Sequence, residues 1–216
     1  MKQSTTRIFD QLFTAHPALS VCRDDIRSAF ELLIECYSGN GKLLVCGNGG
    51  SAADSEHIVG ELMKGFILQR KLPEEQQEFL HREAPEEAEF LIQSLQQALP
   101  AISLVSHTAL MTAYANDKAA DCIFAQQVLG YGLEGDVLLA ISTSGNSANV
   151  LYALRVARMK KMKIIGLTGE AGGKMVNACD VTIRVPSNIT YQIQEYHLPV
   201  YHCLCACVEN EKFGEA

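Results

Sequence analysis

Asp136-Val137-Leu138-Leu139-Ala140-Ile141-Ser142-Thr143-Ser144-Gly145-Asn146-Ser147-Ala148-Asn149-Val150 passes from an unbroken apolar run into a hydroxyl-rich turn and then into a helix-forming segment. An apolar run without polar alternation reads as a strand buried on both faces. Upstream, Lys42-Leu43-Leu44-Val45-Cys46 followed by Gly47-Asn48-Gly49-Gly50-Ser51 repeats the pattern of buried strand, small-residue turn and helix start. Three more runs, Ala101-Ile102-Ser103-Leu104-Val105, Lys163-Ile164-Ile165-Gly166-Leu167 and Val181-Thr182-Ile183-Arg184-Val185, bring the strands to five. Strands of this kind alternating with helical segments predict an α/β fold, a doubly wound five-stranded parallel sheet with right-handed crossovers.

Outside the sheet, residues 4–38 carry helical periodicity: Ile8, Leu12 and Phe13, then Ile26, Phe30, Leu33, Ile34 and Tyr37, closed by Gly39-Asn40-Gly41. Residues 67–98 break the alternation with Pro73-Glu74-Glu75-Gln76-Gln77 and Pro85-Glu86-Glu87-Ala88-Glu89. Each proline suits the first turn of a short helix, with the glutamates at its positive end. This acidic stretch is expected to be a solvated helical insertion packed on the domain or on a neighbouring subunit. A final helix from Tyr191 to about Lys212 shows Ile193, Leu198, Leu204 and Val208 on its apolar face. Pro199 lies inside it and is expected to kink it.

At 216 residues the chain fits one domain, 1–216. A formal charge of −7 argues against a nucleic-acid surface spanning the protein but leaves phosphate binding open, because backbone N–H groups at a helix start hold phosphate without net positive charge. No run approaches the roughly 18 apolar residues of a membrane span, and the N-terminus has no signal core, so a cytoplasmic location is expected. The eight cysteines then read as reduced thiols. Cys203, Cys205 and Cys207 are spaced by two, which turns successive side chains about 200° apart on a helix and favours packing over a shared metal.

Ligands of open α/β sheets bind beyond the carboxyl ends of the strands. The two small-residue loops, 47–51 and 142–147, stand there, each opening a helix whose first N–H groups are free. Ser142, Thr143, Ser144 and Ser147 add hydroxyls, so a compact phosphate ester is the expected ligand. Neither loop has dinucleotide or P-loop spacing. His57 and Glu61 follow the first loop four residues apart, on one helix face, a spacing that surface pairs also use. On the last helix Gln194 and His202 stand about 80° apart, with His197 and Glu195 as rivals. Asn116-Asp117 form a third polar cluster, also compatible with a helix stop.

These motifs resemble the sugar isomerase (SIS) domain family and, within it, the phosphoheptose isomerases. The likeness rests on residues 135–150, on Cys46-Gly47-Asn48-Gly49-Gly50-Ser51 with His57 and Glu61, on Gly172-Gly173-Lys174-Met175, and on Ile193-Gln194-Glu195 with His202. It fails over 67–98. The resemblance implies isomerisation of sedoheptulose 7-phosphate to a glycero-manno-heptose 7-phosphate. It implies substrate contacts at Asn48, Gly49, Gly50, Ser51, Asn116, Asp117, Ser142, Thr143, Ser144, Ser147 and Gln194. It further implies a zinc set of His57, Glu61, Gln194 and His202, with Glu61 as base and His202 as proton shuttle. A homotetramer is implied too, with sites at subunit interfaces and the two ligand-bearing helices drawn from different chains. A non-catalytic sugar-phosphate sensor, or an adaptor binding a replication initiator, is the alternative within the same family. Three positions depart from the family pattern: Met63-Lys64-Gly65 after Glu61-Leu62, Tyr191 three residues before the glutamine, and Pro199.

Overall fold

The computed structural model describes residues 1–215. In chain order its main elements are α1 (Gln3–Ala15), α2 (Arg23–Ser38), β1 (Leu43–Cys46), α3 (Gly50–Met63), α4 (Glu74–Glu83), α5 (Ala88–Ser94), β2 (Ala101–Ser103), α6 (Thr108–Tyr114), α7 (Ile123–Tyr131), β3 (Val137–Ile141), α8 (Ala148–Met159), β4 (Lys163–Gly169), β5 (Val181–Val185) and α9 (Thr190–Phe213). All five expected strands form, and they pair in parallel in the order β2-β1-β3-β4-β5. The register sets Leu44 beside Leu138 and Ile141 beside Leu167.

Side chains alternate between the two faces of a strand. Leu43, Val45, Val137, Leu139 and Ile141 therefore pack on one face with α1, α2, the buried side of α3, and α9. Leu44, Cys46, Leu138 and Ala140 pack on the other with Phe124 and Val128 of α7 and Val150, Ala153, Leu154 and Ala157 of α8. Both faces are covered, as apolar runs without alternation require. In this strand order the direction of winding reverses between β1 and β3, which opens a crevice at their carboxyl ends.

The acidic segment forms two short helices, α4 and α5, starting beside the two prolines. Only Ala88 of the two is buried, so the segment is solvated. Asn116 and Asp117 do not end a helix. The chain passes from α6 into a π-helical turn, Ala115–Ala119, that carries both.

The last helix differs from its expected face. It runs unbroken through Pro199 over 24 residues, and Leu198 is exposed whereas His197 is fully buried. Because α9 is clasped by α1, α2 and α3, it is buried nearly all round from Cys203 to Glu209, and the three cysteines are core side chains. Among the described residues no helix is long and apolar enough to cross a membrane.

His197 has no hydrogen-bonded ring nitrogen among the described residues. Burial pulls it down to about 4, an effect only partly offset by the Thr168 backbone, so it folds neutral and is no proton shuttle at neutral pH. Its folded value lies below the unfolded 6.5, so as pH falls the unfolded chain takes the proton first. The stabilisation is complete above pH 6.5 and is lost toward pH 4. We expect His197→Leu to narrow the stability gap between pH 7 and about pH 4.5 by roughly 2–3 kcal/mol, at 1.36 kcal/mol per pH unit. Urea unfolding at the two pH values measures it, and an unchanged gap would refute the assignment.

Candidate functional site

Loops 47–51 and 142–147 both project at the β1/β3 crevice, because they leave those two strands. The second loop is tightly braced. Ser142 donates its N–H to Leu167 O, and Gly145 donates to Ser142 O. The Ser142 and Ser147 hydroxyls meet at 3.0 Å, and Ser144 Oγ accepts the Asn146 N–H. Gly145 sits at φ +63°, and a Cβ there would come 2.0 Å from Gly172 O. Only glycine fits both the backbone and the space. The Gly172-Gly173-Lys174-Met175 segment thus buttresses the loop, with Lys174 N–H bonded to Asn146 Oδ1 and Met175 N–H to Gly145 O. Neither α3 nor α8 has a side-chain cap. The N–H groups of Ser144, Ser147 and Ala148 find no partner among the described residues. Free donors at the positive end of a helix suit an anion.

The first loop is tied to the second through a pair sequence reading did not single out. Asn48 and Asn149 exchange reciprocal amide hydrogen bonds, 2.9 Å each. The signal was present, since Asn149 is the second residue of the helix leaving the second loop. Gly50 stands against the Gln194 amide, which a Cβ there would meet at 2.5 Å.

Helices α3 and α9 lie side by side in the same chain and run parallel. Gly50 meets Gln194 near their starts, and His57 meets Tyr201 and His202 further along. This corrects the expectation that the two helices come from different subunits. It also shows which of the four expected ligands gather. His57 Nε2 lies 3.2 Å from Glu61 Oε1 and 3.4 Å from His202 Nε2. Gln194 stands at Gly50 instead, eight residues and about 12 Å of helix rise before His202. Lys64 Nζ pairs with the other Glu61 oxygen at 3.1 Å, and the His202 ring lies 5.5 Å from that of Phe66. Burial and the neighbouring His57 hold His202 below its ordinary value, while Glu61 opposes them. His202 is thereby biased to the neutral form, able to take or give a proton.

Behind the cluster stand two residues that sequence reading passed over. The Tyr201 hydroxyl lies 3.0 Å from His57 Nδ1 and donates to Asp54 Oδ1 at 3.3 Å. Burial raises both Asp54 and Tyr201, so the phenol stays protonated. A polar side chain on an otherwise apolar stripe was the available clue for Tyr201. At the end of α3, Arg70 donates to the carbonyls of Glu61 and Leu62 and pairs with Glu209 at 2.8 Å. Glu209 also accepts the N–H groups of Phe66, Ile67 and Leu68. This clasp holds the turn that carries Glu61. Asn116 bonds Asp117 at 2.9 Å on an exposed surface and makes no recorded hydrogen bond to either loop.

The donor chemistry bears on a metal. Among the described residues no group of three or more His, Cys, Asp or Glu forms a ready-made cage. Two imidazole nitrogens and a carboxylate oxygen are nonetheless the donors zinc favours. Their 3.2 and 3.4 Å separations are close to the roughly 3.3 Å edge of a tetrahedron with bonds of about 2.0–2.1 Å. The donors suit zinc in kind, but their atoms face one another rather than a common centre and form no ready metal site among the described residues.

Two uncapped helix starts at the switch point of a parallel sheet, with a carboxylate–imidazole cluster along one of those helices, are the features of an α/β domain suited to an anionic ligand. The chain belongs to the SIS domain family, whose model matches residues 18–97 and 87–169, two pieces that overlap within the acidic segment, so the expectation that the likeness fails over 67–98 is not met. Within that family it is similar to phosphoheptose isomerases. It is 40% identical to those of Shewanella sp. (strain ANA-3) and Shewanella oneidensis, over 100% of this chain and 96% of theirs. Among solved structures, the phosphoheptose isomerase of Neisseria gonorrhoeae matches with TM-score 0.73 and 33% identity, covering 96% of this chain and 94% of that one. The Francisella tularensis phosphoheptose isomerase matches with TM-score 0.71 at the same identity and coverage.

Proposed function

We propose that the protein is a phosphoheptose isomerase that converts sedoheptulose 7-phosphate to D-glycero-D-manno-heptose 7-phosphate through an enediol. The observation that carries the reading is the convergence of Glu61 and His57, on the helix that leaves the first loop, with His202 of α9. Moving the carbonyl from C2 to C1 requires a base that takes the C1 proton and returns it to C2, and a second group that exchanges protons between the two oxygens. Glu61 is the base and the neutral His202 the shuttle. The amides and hydroxyls of loop 142–147, with Asn48, Gly49, Gly50 and Ser51, hold the phosphate end, and Gln194 orients the sugar. His57, Glu61 and His202 would hold zinc, whereas Gln194, two turns earlier on α9 beside Gly50, stands apart from the expected ligand set. Zinc there would supply Lewis acidity at the carbonyl oxygen.

A homotetramer with sites shared between subunits accounts for the remaining pair. No residue of α6 is buried, although Ala109, Leu110, Met111, Ala113 and Tyr114 are apolar. Covering that face with a second copy would carry Asn116 and Asp117 to a neighbour's site. A non-catalytic sensor or adaptor is not favoured, given 40% identity to isomerases along the whole chain and a chemically complete base and shuttle.

The test is turnover of sedoheptulose 7-phosphate by the full chain, with zinc and with chelator. Product formation is expected. Its absence under every metal condition would overturn the proposed reaction.

A further inference from the structure

We propose that Tyr201, anchored on Asp54, is a positioning residue that keeps the His57 proton on Nδ1 and so presents Nε2 as a lone pair to Glu61 and His202. The inference rests on the reading of those three residues as the reacting cluster.

The geometry comes from the parallel packing of α3 and α9. Asp54 and His57 are three residues apart on α3, hence on one face, and Tyr201 of α9 inserts between them. Tyr201 is 1% exposed, so its hydroxyl relies on protein partners, and two are in reach: Asp54 Oδ1 at 3.3 Å and His57 Nδ1 at 3.0 Å. A phenol has one proton to donate and lone pairs with which to accept. The other Asp54 oxygen, Oδ2, is buried with no partner among the described residues, which leaves the phenol as the recorded donor to this carboxylate. A carboxylate accepts more strongly than a neutral imidazole, so the phenol proton goes to Asp54. The phenol oxygen then faces His57 as an acceptor, which draws the hydrogen to Nδ1 in competition with an Nε2–H donated to Glu61 Oε1 at 3.2 Å.

The consequence appears on the far side of the ring. With Nδ1–H committed, Nε2 is a lone pair 3.4 Å from His202 Nε2, whose N–H can donate to it, and 3.2 Å from Glu61 Oε1. Two electron-rich atoms then face each other across a gap suited to a cation or a travelling proton. The opposite tautomer would fill that gap with an N–H. An outer partner that fixes a ligating histidine in this way commonly changes metal affinity by about 10–100-fold.

The test uses the full chain labelled with 15N-histidine, stripped of metal by chelator, at about pH 8. Long-range 1H–15N correlation of the His57 ring should show Nδ1 protonated and Nε2 bare. Tyr201→Phe keeps the ring and its packing but removes the hydroxyl. It should mix or reverse the tautomer and weaken zinc binding, read by competition with a chelating dye, about 10–100-fold. Asp54→Asn should move both readouts in the same direction and serves if Tyr201→Phe does not fold. An Nε2–H tautomer in the native chain overturns the proposal, as does a Tyr201→Phe protein with unchanged tautomer and zinc affinity. A chain inactive on sedoheptulose 7-phosphate that still shows the Tyr201-dependent tautomer would refute the proposed reaction and leave this inference standing.

Discussion

Glu61→Gln is expected to lower kcat for sedoheptulose 7-phosphate by about 10²–10⁴-fold, the usual contribution of a positioned general base. The amide keeps the size and an acceptor oxygen but cannot take a carbon-bound proton. The effect should fall mainly on kcat, because the phosphate loops lie elsewhere and are unchanged. The fold should tolerate the change: the Glu61 contacts that matter for structure run through its backbone carbonyl, which accepts from Arg70 at 3.0 Å. Steady-state kinetics together with a thermal melt separates the two effects. A variant within threefold of native turnover would remove Glu61 from the role of base.

The largest stability effect is expected at the Arg70–Glu209 clasp. Both side chains are almost wholly buried, at 0% and 1% exposure. Removing one member of such a pair leaves an uncompensated buried charge, at a cost of about 3–5 kcal/mol. The two positions are not equivalent. With Arg70→Leu, Glu209 still accepts three backbone N–H groups, whereas Glu209→Leu strands those amides and leaves the buried guanidinium, still bonded to the Glu61 and Leu62 carbonyls, without its counter-charge. Glu209→Leu should therefore be the more damaging, and the double variant should not recover stability, because the orphaned amides remain. Urea unfolding of the three variants tests this order. Losses below about 1 kcal/mol, or recovery in the double variant, would show that the clasp is not what holds this turn.

Much of the fold was legible because its cause is local. A strand buried on both faces has to be apolar at every position, and a strand that feeds a tight turn has to end in small residues. Residues 42–51 and 136–150 state both conditions without reference to the rest of the chain. The two small-residue loops were legible for the same reason, since loop and helix start are contiguous in sequence. Helical spacing placed His57 and Glu61 on one face, but it also placed Leu198 on the apolar face of α9. There the reading failed: α9 is enclosed by three helices, and the periodicity of a helix buried nearly all round says little about which side faces water.

What the sequence by itself determined is the class of fold, the order of its elements and the two small-residue loops that open helices, all consequences of interactions within a few residues. Tertiary structure decided what lies far apart in the chain: that α3 and α9 run parallel in one chain, that His202 rather than the buried His197 joins the His57–Glu61 pair, and that Tyr201 and Asp54 stand behind them. The physical reason is that hydrogen bonding and desolvation act through space, so the roles of His197 and His202, five residues apart on the same helix, are set by what each meets when the helices close.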